Sequence, residues 1–314
     1  MLATRPTGSR IIGIAIALYL VVVLAGSIYF RMSLTPDRVL ILILIAALGT
    51  GRVRQFFKDW SIFLVVVLAW QFLGGASGHI TRLRPHVTEM IVADKAMFFG
   101  QVPTIWLQHR LYHPGHTAWY DVAAVVLYLL HFVVPMVAAF AFWMWNRAVF
   151  LEFMVAFLLL ALAGFATYVL YPAAPPWYAA NWLFKLPHVY EIKNHVSVAH
   201  SMSISGLFSW MWDHVGWDRF GAIPSEHASF PFLCFLYARR AWRRAGWLVL
   251  PYCLAVWVAV VYMGEHYAID VVVGVVYAAL AYAVVRLALG RHVWPEEART
   301  DPVKTGSISD TVTV

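Results

Sequence analysis

The chain is 314 residues long, 62% hydrophobic and only 12% charged, with a formal net charge of +7. Soluble domains carry roughly a quarter charged residues, so this balance excludes a soluble globule and indicates a polytopic membrane protein. Repeated long apolar runs suit helices better than barrel strands, because backbone inside a bilayer must satisfy its own hydrogen bonds. The expected fold class is therefore all-α.

In chain order, hydropathy predicts eight hydrophobic segments: Ile11–Phe30, Val39–Thr50, Ser61–Ala76, Asp121–Trp145, Phe150–Tyr171, Ala228–Tyr237, Trp247–Met263 and Ile269–Leu289. The second and sixth are short, and either tilt, borrow flanking polar residues or cross only partially. The first lacks a signal-peptide cleavage site and is read as retained. Between the third and fourth, Phe98 to Gln108 mixes aromatic and polar residues, as in a short helix lying along the interface, either shaping lipid entry or packing over the mouth of the bundle. Cys234 and Cys253 fall inside apolar runs, so neither a disulfide framework nor a cysteine metal site is indicated.

The basic residues orient these segments. Arg5, Arg10, Arg52, Arg54, Lys58, Arg147, Arg239, Arg240, Arg243, Arg244, Arg286 and Arg291 all fall on one side of an eight-crossing path, which the positive-inside tendency makes cytoplasmic. Arg31 and Arg38 run against it. Both termini are then expected inside, and the segments Ser77–Tyr120, Pro172–Glu226 and the loop around His266 outside. These outer segments still hold Arg82, Arg84, Lys95, Arg110, Lys185, Lys193 and Arg219. A phosphate-bearing headgroup would account for the set, since guanidinium groups bind phosphate in a forked geometry. For any one of them, contact with anionic lipid headgroups is the plainer reading.

Two polar segments carry the chemistry: Phe220 to His227, reading FGAIPSEH, and Gly264 to Asp270, reading GEHYAID. His266 and Asp270 are four apart, so on a helix they share a face and the carboxylate can hold the far imidazole N–H. Pro224-Ser225 before an apolar run reads as a helix start, with Ser225 near the N-cap and first-turn amides forming an anion site beside His227.

These residues resemble the type-2 phosphatidic acid phosphatase superfamily, whose ordered motifs are KxxxxxxRP, PSGH and SRxxxxxHxxxD. Glu226 stands at the glycine of PSGH, Ala259 and Val260 stand at the Ser-Arg pair, and Ser77 stands at the lysine before Arg84-Pro85. The branch containing inositol phosphorylceramide synthases and sphingomyelin synthases is similar in these departures, and in the APPWY stretch from Ala174 to Tyr178. The resemblance covers roughly Phe98 to Leu289 and implies a six-helix core. It divides the chain into N-terminal hydrophobic segments (1–76), a catalytic membrane domain (77–290) and a flexible polar cytoplasmic tail (291–314).

What the resemblance implies is a metal-independent, cofactor-free transfer in a bacterial plasma membrane. His266, made basic by Asp270, attacks phosphorus to form a phosphohistidine, and His227 protonates the leaving alkoxide and then activates the acceptor. Ser225 and the helix-start amides stabilise phosphoryl oxygens, with Arg84 and Arg219 nominated as cations. Trp177, Tyr178 and Tyr267 are expected to line the substrate, although the proline-rich stretch is first a helix terminator and interfacial belt. His79, His109, His113 and His131 are expected to be bundle histidines without a role. Glu226 and Glu265 stay open between acceptor deprotonation and solvation.

The donor is expected to be a membrane lipid phosphate. A lipid or polyol acceptor makes the protein a phosphotransferase, the reading that the branch favours, whereas water makes it a lipid phosphate or polyprenyl diphosphate phosphatase. A haem-binding bundle or an anion transporter is the non-enzymatic alternative. Neither explains PSEH followed by HYAID, and paired internal repeats are not evident. The DGxxAR pattern of CDP-alcohol phosphotransferases is absent, no protein partner is indicated, and nucleic acid is not expected, because membrane orientation accounts for the basic clusters.

Overall fold

The computed structural model describes residues 43–47, 53–61, 84–196 and 220–289. Their regular structure is helical: α1 (Thr88–Met97), α2 (Pro103–Leu111), α3 (Trp119–Trp145), α4 (Arg147–Leu170), α5 (Pro176–Asn181), α6 (Glu226–Ala241), α7 (Leu250–Tyr262) and α8 (Ala268–Leu289). Residues 43–47 and 53–61 are helical too. The stretch holding Arg54 and Lys58, expected to be a connection between spans, is thus part of a helix, and its Asp59 receives hydrogen bonds from Arg147 and Trp143.

The apolar runs become helices whose ends are set by polar residues. Asp121 accepts the Ala118 N–H (2.8 Å) and closes the first turn of α3. Asn146 ends α3 through its N–H to the Phe142 carbonyl, and its Oδ1 accepts from Ala148 and Val149 to start α4. One residue thus folds α3 and α4 into a hairpin. α3 bends by 49° after His131, where Pro135 lacks the amide that would pair with the His131 carbonyl.

Among the described residues, three helices are long and apolar enough to cross a membrane: α4, the stretch Ala245–Tyr262 that joins a 3-10 turn to α7, and α8. α3 makes a fourth if its two bent halves count as one span. Three or four of the eight expected crossings are thus present among the described residues. The Ala228–Tyr237 run lies within α6, whose 16 residues rise about 24 Å, short of a hydrocarbon core of about 30 Å. The segment Ile11–Phe30, most of the next two and the tail 291–314 lie outside the described residues.

α6 packs against α3, α4, α7 and α8. Phe142, Phe150, Phe153, Leu160, Phe230 and Tyr237 fill the largest apolar cluster around it. Near the end of α6, Arg240 reaches Glu152 of α4 at 2.9 Å, and Arg286 of α8 reaches the same buried carboxylate at 3.5 Å. At the other end α8 lies directly on the start of α6. A Cβ on Gly274 would stand 2.4 Å from the Ser225 carbonyl oxygen, so only glycine permits this approach.

Three non-helical segments lie side by side over that end. His86 donates its N–H to the Pro172 carbonyl and accepts from Ala174, while Ala173 pairs in the same way with Phe220 and Ala222. Sequence positions more than a hundred residues apart are thereby fixed beside the two motif segments.

Candidate active site

Gly264 turns the chain after α7 with φ +80°, and a Cβ there would meet Val189 at 2.9 Å and the Tyr190 carbonyl at 3.0 Å. Beyond it, the N–H groups of Glu265 and His266 both donate to the Val260 carbonyl (3.1 and 3.3 Å), fixing the two residues next to each other. The Tyr267 N–H donates to Asp270 Oδ2 (2.8 Å), and the Ala268 and Ile269 N–H groups donate to Asp94 of α1 (3.2 and 2.9 Å). The start of α8 is therefore capped by one carboxylate of its own and one from a distant helix. Asp94 is fully buried. Burial pushes its pKa up to about 6, although both amide bonds pull it down.

His266 and His227 meet at this point. His266 Nδ1 lies 2.8 Å from the Ala222 carbonyl oxygen, and His266 Nε2 lies 3.1 Å from His227 Nδ1. A carbonyl can only accept, so Nδ1 of His266 carries the proton and Nε2 holds the lone pair. The donor in the second contact is then His227 Nδ1–H. Asp270 was expected to hold the far N–H of His266. Its Oδ2 instead stands 3.7 Å from Nδ1 while holding the Tyr267 amide, and the carbonyl of Ala222 is the direct partner.

His227 lies between two rings of α3, stacked on Tyr128 (centroids 4.2 Å) and against His131 (3.7 Å). His131, expected to be a bland bundle histidine, therefore touches the pair. Ser225 is the N-cap of α6, as its position before the apolar run led one to expect, and its N–H donates to the Asp270 carbonyl at 3.0 Å. Its Oγ and His227 Nε2 are buried polar atoms without a hydrogen-bond partner. Glu226 has room for its carboxylate because α4 presents Gly164 there, where a Cβ would come within 2.8 Å of Glu226 Oε1.

The other nominated residues divide. Trp177 donates its backbone N–H to the Gly264 carbonyl (3.2 Å), so the proline-rich stretch braces the turn before His266. Tyr178 is half-buried with its ring against Phe220. Tyr267 is fully buried in an apolar cluster with Val87, Met90 and Ala173. Arg84 is exposed, and Arg219 lies outside the described residues. Lys193 is the outer cation that the fold brings near: its ammonium is 2.9 Å from Glu265 Oε2 and 3.2 Å from Glu191 Oε1. Burial works against its charge, but Glu265, Tyr128 and Glu191 outweigh it and raise its pKa. Burial raises the pKa of Glu191, against the pull of Lys193.

An apolar groove of about 610 Å³ runs between α2, α7 and α8, lined by Phe98, Trp106, Trp257, Val261, Ala268 and Val271 among others, with neither histidine of the pair in its lining. The segment expected to form an interfacial helix comprises the turn from Phe98 to Val102 and most of α2, and forms one wall.

The chain matches the PAP2 superfamily over residues 88–284. It is similar to a protein of Bacteroides thetaiotaomicron named phosphoinositol dihydroceramide synthase, with 31% identity over 174 residues that cover 53% of this chain and 56% of the relative. The matched stretch thus spans little more than half the length of that relative. No solved structure matches.

Proposed function

Since the chain belongs to the PAP2 superfamily, an integral membrane enzyme of that kind is the premise, and we propose that it transfers a phospho-headgroup from one membrane lipid to the hydroxyl of another through a phosphohistidine on His266. The observation that carries this reading is the proton arrangement at the pair. The Ala222 carbonyl holds Nδ1–H of His266 and leaves the Nε2 lone pair facing His227 Nδ1 at 3.1 Å.

In the first step Nε2 attacks phosphorus and the bond to the leaving lipid oxygen breaks. That oxygen takes a proton from Nδ1 of His227, which must at that moment carry a proton on both nitrogens. An incoming phosphate anion favours that imidazolium by charge. In the second step the acceptor hydroxyl gives its proton back to His227 Nδ1, its oxygen attacks phosphorus, and His266 leaves as neutral imidazole. We assign Ser225 Oγ and the first-turn amides of α6 to the developing charge on the phosphoryl oxygens, a role supported by the position of Ser225 at the N-cap and by its unpaired Oγ. Asp270 orders the start of α8 and adds negative charge near Nδ1. Arg84 and Arg219 keep their place as candidate cations for substrate capture.

The apolar groove, whose lining includes Ala268, two residues after His266 in the chain, supports a lipid rather than a soluble substrate. The relative's name supports a lipid hydroxyl in place of water as acceptor. Incubating purified protein in detergent and chelator with phospholipids and polyprenyl phosphates, with and without lipid alcohols and inositol, tests the reading by mass spectrometry. New phospholipid without free phosphate is the expected product. Free phosphate alone would make the protein a lipid phosphate phosphatase.

A further inference from the structure

His227, the general acid of the proposed steps, has a hydrogen bond at only one of its nitrogens. A catalytic histidine is ordinarily oriented by a bond at the ring nitrogen that does not react. Nδ1 of His227 faces His266 at 3.1 Å, whereas Nε2 is buried with no hydrogen-bond partner among the described residues. One bond at one corner does not fix the tilt of the ring. Nor does it favour the imidazolium that the first step needs, whose Nε2–H is a buried donor without an acceptor.

Two rings of α3 supply what that missing bond does not. Tyr128 lies nearly parallel to His227, 21° from its plane and 4.2 Å from its centroid, so the imidazole rests on the negative face of the phenol. His131 meets the same imidazole at 3.7 Å with a tilt of 44°. Tyr128 and His131 are three residues apart on α3 and so neighbours on one face of the helix. Nδ1–H of His131 donates to the Tyr128 carbonyl, which ties the His131 ring to its own helix. Their centroids stand 5.7 Å apart, so the two rings take adjacent sides of His227. A cation over an aromatic face within about 6 Å of its centroid is stabilised by the ring, and more so where water is excluded. Neutral His227 gains only packing from such a seat, whereas the imidazolium gains charge stabilisation as well.

The other titratable groups around His227 are Glu226 beside it on α6, His266 with Asp270 3.7 Å behind it, and Lys193 of the 3-10 turn Ile192–His195, 5.4 Å over the Tyr128 ring. Lys193 opposes a second cation nearby, but Glu265 and Glu191 hold its ammonium at 2.9 and 3.2 Å and offset its charge.

We propose that Tyr128 and His131 form a ring seat that aims Nδ1–H of His227 and favours its doubly protonated form, which makes both of them positioning residues for the general acid. This rests on the phosphohistidine reading above. The seat itself exchanges no proton: the one given to the leaving oxygen comes from His227 Nδ1, and the acceptor hydroxyl returns one there.

The experiment follows leaving-group release in a single turnover of the purified full chain against pH, at saturating donor, with a phospholipid and with an aryl phosphodiester. Release from the lipid needs the imidazolium, so its rate falls as pH rises through a midpoint, and removing a ring that stabilises the cation moves that midpoint down. His131→Leu is expected to lower the midpoint by about one pH unit and, above it, to slow the lipid roughly tenfold, with a much smaller loss on the aryl substrate. His131→Phe, which keeps a ring, should return the midpoint most of the way. Tyr128→Leu and Tyr128→Phe make an independent pair with the same expected order, and thermal unfolding in detergent shows which variants are folded. An unmoved midpoint in a folded Leu variant, or equal losses on the two substrates, would overturn the proposal and leave the rings as packing. So would a Phe variant no better than its Leu counterpart. A wild type forming no His266 adduct from either substrate would instead sink the phosphohistidine reading, before any variant is compared.

Discussion

At the scale of single residues, the proposed chemistry depends on which nitrogen holds which proton. Because Ala222 offers a carbonyl to His266 Nδ1, the proposed mechanism makes Nε2 the attacking atom, and on that proposal a substitution there removes the nucleophile itself. His266→Ala is expected to lower turnover by roughly a thousandfold or more and to abolish covalent labelling by lipid substrate. His227→Ala should cost about 10²–10⁴ with a lipid alkoxide as leaving group. With an aryl phosphodiester, whose leaving group needs no proton, the loss should be much smaller, and steady-state rates on the two substrates read the difference. Equal losses on both would mean that His227 positions the substrate and donates no proton. The two histidines and Asp270 were legible from the sequence because their spacing is local and ordered. The Ala222 carbonyl was not, because backbone acceptors leave no mark in a side-chain pattern. His131 and the Lys193–Glu265 pair escaped for another reason: their partners come from elements far apart in the chain.

At the scale of elements, the site depends on how the start of α8 is held. Its cap comes from Asp94, 174 and 175 residues before the amides it binds, a distance over which no motif could announce it. Asp94 has a raised pKa, so its ionisation costs folding free energy. The stability it contributes is full below its unfolded value and is lost as pH rises through about 6. Thermal unfolding in detergent should therefore show Tm falling between pH 4 and 6 in wild type, and less of that slope in Asp94→Asn. Gly274 makes a second test. Gly274→Ala drives a methyl group into the Ser225 carbonyl, which should destabilise the fold by about 1–3 kcal/mol and displace Ser225 and His227 together, so that activity falls along with Tm. The helices themselves were legible because long apolar runs make α3, α4, α7 and α8 explicit. Their ends followed where polar caps such as Asn146 stand. The short α6 was readable as a segment but not as a crossing, because its 16 residues begin inside the motif.

For the whole molecule, the arrangement separates two ends. One holds Glu152 with Arg240 and Arg286; the other holds the histidines, the paired segments at Ala173 and the exposed aromatics Phe98, Phe99 and Trp106. On the charge bias of the sequence we propose that the first end faces the cytoplasm. Phe99 is fully exposed, while Cys234 and Cys253 are buried. A Phe99→Cys variant in intact cells is therefore expected to react with a membrane-impermeant thiol reagent, and protection until the cells are opened would reverse the orientation.

The phosphohistidine remains the point on which the rest turns. Purified protein is mixed with a phospholipid donor labelled in its headgroup phosphate, quenched at alkaline pH, where phosphohistidine survives, and read by peptide mass spectrometry. The account predicts a phospho-headgroup adduct on His266, absent in His266→Ala and discharged on adding a lipid alcohol. Full turnover in His266→Ala, or an adduct on a different residue, would contradict it.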